Sequence, residues 1–327
     1  MARTAQHRIL SGFGRTSTAT DVLKGIDLTG RTAIVTGGYS GLGLATTEAL
    51  ARAGATVVVA AKRPEAARRQ LADTPGTEVA VLDLADLASV RAFAEEFTGF
   101  GRPLDILVNN AGVLATSERR VRPGWEIHFA VNYLGHYALT NLLWPALTVA
   151  PGGARVVTVS SRGHKGYPVN FDDIMSARHW DMLSAYGQSK TANSLFAVHL
   201  DKLAAGHGVQ SFAAAPGSTL TPLHREVPPD EQVERGWIDS DGIPSPRFVT
   251  PEQGAATFVW AATSPRLAGH GGVYCEACDI AEPTDLDSPG AGTTGVDACA
   301  IDPEVAARLW NLTAELTGID VAGAAAA

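Results

Sequence analysis

The chain has 327 residues, 45% of them hydrophobic and 18% charged, with a formal net charge of -8. This is a globular composition with enough apolar material for a sizeable core, and its acidic balance argues against a nucleic-acid surface, which needs clustered Lys and Arg. Cys275, Cys278 and Cys299 are too few for a disulfide framework, and no apolar run approaches the ~18 residues of a membrane span, so a soluble, cytoplasmic protein is expected.

Residues 1–25 are basic and lack an acid before Asp21; they read as a flexible or subunit-contacting arm, with a transit peptide as the alternative. A β-rich run, "RTAIVTGG" (31–38), then meets "LGLATTEALARAG" (42–54), which has helical spacing and a closing glycine. The alternation repeats through strands at 55–61, 78–84, 104–112 and 154–161, with helices at 63–73, 87–97 and, at greater length, 125–147. A helix around residue 186, strands at 208–217 and 271–276, and a closing helix at 302–316 complete the pattern. Apolar strands alternating with helices predict a single-domain, doubly wound α/β fold of the Rossmann type over 26–318, with seven parallel strands and helices on both faces. The Pro-, Gly- and acid-rich stretch 219–253 reads as a substrate cap or as plain loop, and 319–327 as a flexible tail.

Three motifs carry chemistry. "TGGYSGLG" (36–43) sets Gly37, Gly41 and Gly43 between a strand and a helix, where glycines let a backbone approach a pyrophosphate and the helix N-terminus faces its charge. Lys62 and Arg63 follow the second strand, where an acid would greet the ribose hydroxyls of NAD; two cations suit a 2′-phosphate, so NADP(H) is favoured, with NAD(H) the alternative. Asp83 ends the third strand, where its carboxylate can meet an adenine edge, and "NNAG" (109–112) ends the fourth, leaving room for a ribose. In "YGQSK" (186–190), Tyr186 and Lys190 lie one turn apart on a helix face, so the ammonium can lower the pKa of the phenol. Cys275-x-x-Cys278 has no second ligand pair at metal spacing; both are read as structural thiols and no metal site is expected.

From about residue 26 to residue 274 these motifs resemble the classical short-chain dehydrogenase/reductase family: "TGGYSGLG", "NNAG", "VNYLGHY" (131–137), "VSS" (159–161), "YGQSK" and "PGSTLT" (216–221), in the family's order. Within it, "STATDVLKGIDLTGRTAIVTGGYSGLG" (17–43) and "SKTAN" (189–193) are similar to the branch of retinol dehydrogenases and WW-domain oxidoreductases. The resemblance implies a tetrad of Asn132, Ser161, Tyr186 and Lys190. Tyr186 exchanges the proton, Lys190 lowers its pKa and holds the nicotinamide ribose, Ser161 binds the substrate oxygen, and Asn132 holds a relay water. Ser160 is the alternative serine. The cofactor site that follows comprises Gly37, Tyr39, Ser40, Gly41, Leu42, Gly43, Lys62, Arg63, Asp83, Leu84, Asn110, Ala111, Gly112, Tyr186, Lys190, Pro216, Gly217, Thr219 and Thr221.

Gly38 and Tyr39 depart from the Ala-Asn frequent in the family's glycine loop, and residues 162–185 form a long insertion before Tyr186. Its aromatic residues Tyr167, Phe171 and Trp180 are expected to wall an apolar substrate pocket. The reading is an NADPH-dependent reduction of a ketone or aldehyde, or the reverse alcohol oxidation, on a small-molecule substrate. Family habit implies a homodimer or homotetramer, and the composition a GC-rich bacterial source. Two alternatives stand beside it: a nucleotide-binding regulator of little activity, and an enone C=C reductase.

Overall fold

The structure is a computed structural model that describes residues 5–285 and 293–326. Its central sheet contains β1 (Thr32–Thr36), β2 (Thr56–Ala61), β3 (Thr77–Val81), β4 (Ile106–Asn109), β5 (Ala154–Val159), β6 (Val209–Ala215), β7 (Val273–Glu276) and β8 (Asp279–Ile280). The strand order is β8-β7-β6-β5-β4-β1-β2-β3, and all but β8 run parallel. Every residue of β1 and β4 is buried, as a strand covered on both faces requires. One face packs α1 (Gly41–Arg52) and α5 (Pro251–Thr263), with Phe258 and Trp260 in its core. The other packs α2 (Leu87–Gly99), α3 (Gly135–Leu142), α4 (Met182–Leu203) and α6 (Pro303–Thr317) around Tyr133, Tyr137, Phe196 and Trp310. The order of strand addition reverses between β1 and β4, so the crevice beyond their carboxyl ends is where such a sheet accepts a ligand.

The expected sheet of seven strands has eight. The extra strand, β8, turns back after Ala277 and Cys278, both at positive φ (47° and 58°). Such a two-residue hairpin is ordinarily announced by Asn-Gly or Asp-Gly, and this one carries neither. Cys275 and Cys278 sit here as buried free thiols, with burial pushing the Cys278 thiol up to about 12. Among the described residues no group of His, Cys, Asp or Glu is arranged to hold a metal.

The expected helix over 125–147 is also broken up. Trp125–Glu126 pairs with Arg120–Val121, Phe129–Leu134 is a π-helical turn, α3 follows, and Pro145 starts a separate helix, Trp144–Thr148, because it cannot continue the preceding hydrogen-bond ladder.

Among the described residues, Gln6 and the segment 319–326 bond to the body of the fold. The Gln6 amide donates to the carbonyls of Tyr274 (2.7 Å) and Ala281 (2.8 Å) and accepts from the Tyr274 N–H, bonding β7 to the chain that leaves β8. Residues 319–326 lie against α3: Tyr137 donates to the Ile319 carbonyl, and the Ala322 amide to Asn141. Residues 1–4 of the expected arm and residue 327 of the expected tail lie outside the described residues. Among the described residues no helix is long and apolar enough to cross a membrane.

Candidate active site

A cleft of about 500 Å³ opens at the carboxyl ends of β1 and β4, lined by the glycine loop, the ends of β2 to β5, and the turn after β6. Gly37 and Gly41 take positive φ (64° and 53°), which the loop needs to double back into α1. Gly43 is required by space: a Cβ there would lie 2.5 Å from both Asn110 Nδ2 and the Gly37 carbonyl. Ser40, the N-cap of α1, makes no capping bond, so the first-turn amides are left to an anion.

One hydroxyl ties the loop to its neighbours. Thr36 Oγ1 accepts from the Asn110 and Ala111 amides (each 2.9 Å) and lies 2.8 Å from His136 Nε2. His136 Nδ1 donates to the Asn132 carbonyl (3.0 Å), which leaves Nε2 to accept from Thr36. Burial holds the imidazole pKa down at about 4, so this neutral tautomer is the one present at neutral pH.

Tyr186, Lys190 and Ser161 converge on the inner end of the cleft. Tyr186 and Ser161 meet at Gly163, where a Cβ would lie 2.9 Å from Tyr186 Cε1 and 3.3 Å from Ser161 Oγ, and Lys190 Nζ lies 5.6 Å from the phenol ring centroid. Lys190 is buried and donates to the Val159 carbonyl at 3.0 Å. Ser161 Oγ also accepts from the Gly163 amide, capping a 3-10 turn. Ser160 also borders the cleft, but its buried hydroxyl is engaged, donating to the Lys190 carbonyl (2.8 Å) and accepting from Ser194 (2.9 Å). The electrostatics differ from the expected ones. Desolvation raises the pKa of Tyr186 and lowers that of Lys190 to about 8, because removal from water disfavours each charged form.

Of the residues singled out from sequence, Gly37, Tyr39, Ser40, Gly41, Leu42, Gly43, Lys62, Arg63, Asp83, Leu84, Asn110, Ala111, Gly112, Ser161, Tyr186, Lys190, Pro216 and Thr221 all line the cleft. Lys62 and Asp83 do so as an ion pair of 2.8 Å. Three others do not line it. Asn132 is fully buried, its amide closed on both backbone groups of Val113 and on Ser189. Gly217 is exposed in the turn at positive φ (75°), and the Thr219 hydroxyl, buried and unpartnered, points at Gly254 of α5. The insertion's aromatics also turn elsewhere. Tyr167 packs on Gly187, Phe171 lies under the Arg308 guanidinium (3.9 Å), and Trp180 stacks on His128.

The apolar wall is aliphatic instead: Val113, Val121, Ile127, Val131 and Leu223. Ile127 and Val131 stand four apart, a spacing that could have been seen; Val121 and Leu223 reach the cleft only through tertiary structure. An Arg119–Glu226 ion pair ties the segment after β6 to the loop after β4 at the rim.

Residues 31–232 match the short chain dehydrogenase family. The chain belongs to the short-chain dehydrogenase family. It is 45% identical over 299 residues to a "Probable oxidoreductase" of Streptomyces lividans, covering 89% of this chain and 98% of that one. It is 35% identical to the polyprenol dehydrogenase of Homo sapiens (88% of this chain, 86% of that one) and 35% identical to retinol dehydrogenase 12 of Mus musculus (90% and 88%). These relatives place it in the retinol dehydrogenase-like branch. Among solved structures, an uncharacterized protein of Mycobacterium paratuberculosis superposes with a TM-score of 0.71 at 32% identity (94% of this chain, 99% of that one). A "putative NAD(P) dependent gluconate 5-dehydrogenase" of Beutenbergia cavernae with bound NADP gives 0.60 at 29% (77% and 96%). As a short-chain dehydrogenase the chain is an oxidoreductase, and the NADP complex of that solved relative agrees with a nicotinamide cofactor for the glycine-loop cleft.

Proposed function

We propose that the protein reduces an apolar ketone or aldehyde with NADPH, or oxidises the corresponding alcohol. The observation that carries this reading is the convergence of Tyr186, Ser161 and Lys190 on the glycine-loop cleft, with the Lys190 ammonium 5.6 Å from the phenol ring. The cleft fits the cofactor: Gly43 leaves the close approach open, the uncapped first turn of α1 offers amides to a pyrophosphate, and Lys62 and Arg63 stand where a 2′-phosphate would lie. When bound, the nicotinamide supplies the hydride.

The chain supplies the proton and the geometry. Ser161 donates to the carbonyl oxygen and orients it, and Tyr186 transfers its phenolic proton to the same atom. A phenol whose pKa is raised stays protonated at neutral pH, which suits the reductive direction. Lys190 puts its charge next to the ring as negative charge develops on the phenol oxygen. Asn132 acts at one remove, fixing the backbone of Val113 on the cleft wall. The aliphatic wall favours an apolar substrate, and the names of polyprenol dehydrogenase and retinol dehydrogenase 12 point the same way.

The test is titration of the purified protein with NADPH and with NADH, followed by nicotinamide absorbance with decanal, citral, acetophenone and a simple enone. Tight NADPH binding with turnover of a carbonyl supports the reading. Tight binding without turnover favours a nucleotide-binding regulator, and a saturated ketone formed from the enone favours C=C reduction.

A further inference from the structure

Behind Tyr186, on elements outside the proposed chemistry, lies a buried polar cluster. Glu126 and His128 are at most 1% exposed, an expensive location for a carboxylate. Every polar atom of the cluster is matched. Glu126 Oε2 accepts from the Phe129 amide at 2.9 Å, and Oε1 accepts from His128 Nδ1 (2.7 Å) and from Trp180 Nε1 (3.2 Å). His128 Nε2 accepts from the Ala115 amide at 2.9 Å, so the proton sits on Nδ1 and the imidazole has a single orientation.

This fixed ring meets Tyr186 in a T-shaped contact, with centroids 6.0 Å apart and planes at 83°, and stacks on Trp180 at 18°. Tyr186 is gripped from a second direction by Gly163, where a Cβ would lie 2.9 Å from Cε1. The insertion that carries Trp180 is itself pinned: Gln188 bonds to Asn170 and Ile174, and Arg120 donates to the carbonyls of Met175 and Ser176.

We propose that Glu126, His128 and Trp180 form a strut that sets the ring plane of Tyr186, so that the phenol oxygen stays aimed at the substrate oxygen beside Ser161. They are positioning residues that touch neither substrate nor cofactor, and the insertion serves to deliver Trp180 to them. Fully bonded polar groups suit this task better than an apolar contact, because each bond removes one freedom of the imidazole and hence of the ring against it. The inference rests on the assignment of Tyr186 as proton donor.

The experiment uses the full chain labelled with carbon-13 at tyrosine Cζ, the Tyr186 line being assigned by its loss in Tyr186→Phe. In Glu126→Gln and His128→Gln the Tyr186 line should shift or broaden. Turnover of the fastest carbonyl in the panel should fall about tenfold or more, with NADPH affinity within about twofold of the parent. In the Tyr186→Phe background, Glu126→Gln should leave the residual rate unchanged. A Tyr186 line and a turnover rate both unaltered in folded variants would overturn the strut. If the parent turns over no carbonyl, the proposed function fails and the resonance alone decides the strut. If His128→Gln does not fold, Trp180→Phe removes one donor from Glu126 and must move the same line.

Discussion

The hydroxyl of Thr36 and the imidazole of His136 lie 2.8 Å apart, joining the end of β1 to α3 and holding the turn after β4 through the Asn110 and Ala111 amides. The glycine loop, the turn after β4 and the π-helical segment of Asn132 are thus one unit that depends on a neutral histidine.

Protonation of His136 should loosen that unit. Its folded pKa of about 4 lies below the ordinary value of 6.5, so between these values the unfolded chain binds more protons and stability rises with pH. As pH falls from 6.5 to 4, this group alone should cost on the order of 3 kcal/mol of unfolding free energy. His199 is lowered similarly and adds to the slope. Urea unfolding across this range checks the prediction, and His136→Gln should flatten the slope while lowering stability at neutral pH.

Gly43→Ala should damage cofactor binding by displacing the Asn110 amide, which now donates to the Thr36 carbonyl at 2.8 Å. A new Cβ at 2.5 Å from two atoms must shift one of them, an overpacking cost of about 1–3 kcal/mol. NADPH titration should show affinity weakened by about tenfold or more, with thermal unfolding reporting the lost stability.

Cofactor choice should depend more on Arg63 than on Lys62, because the Lys62 ammonium is already engaged by Asp83. Arg63→Ser should weaken NADPH binding by about tenfold to a hundredfold, the scale of one or two charge-assisted hydrogen bonds, and leave NADH binding nearly unchanged. Lys62→Ser should do less, and Asp83→Asn, which releases Lys62, should strengthen NADPH binding. Parallel titrations with both dinucleotides measure the preference.

The parts legible in the sequence were those whose chemistry is local. Gly37, Gly41 and Gly43 signal their turn by type and spacing, and Tyr186 and Lys190 share a helix face through a four-residue interval. The alternation of strands and helices was equally plain, since buried parallel strands read as continuous apolar runs. What stayed hidden depended on tertiary partners. Burial at the end of the cleft raises the Tyr186 pKa, and no neighbouring residue type encodes burial. The Asn132 amide closes on Val113 because a π-helical turn rotates it there, and the insertion's aromatics face Gly187, Arg308 and His128 rather than the cleft. Gln6 bonds to Tyr274 across 268 positions, a contact no local pattern reveals.

The most direct test of the account is the single change Tyr186→Phe, which removes one hydroxyl and keeps the ring. Carbonyl turnover with NADPH should fall by about two to four orders of magnitude, the usual scale of general acid catalysis, while the NADPH dissociation constant stays within about threefold. Turnover that survives this change at near its original rate would contradict the assignment of Tyr186 as proton donor and, with it, the proposed reduction.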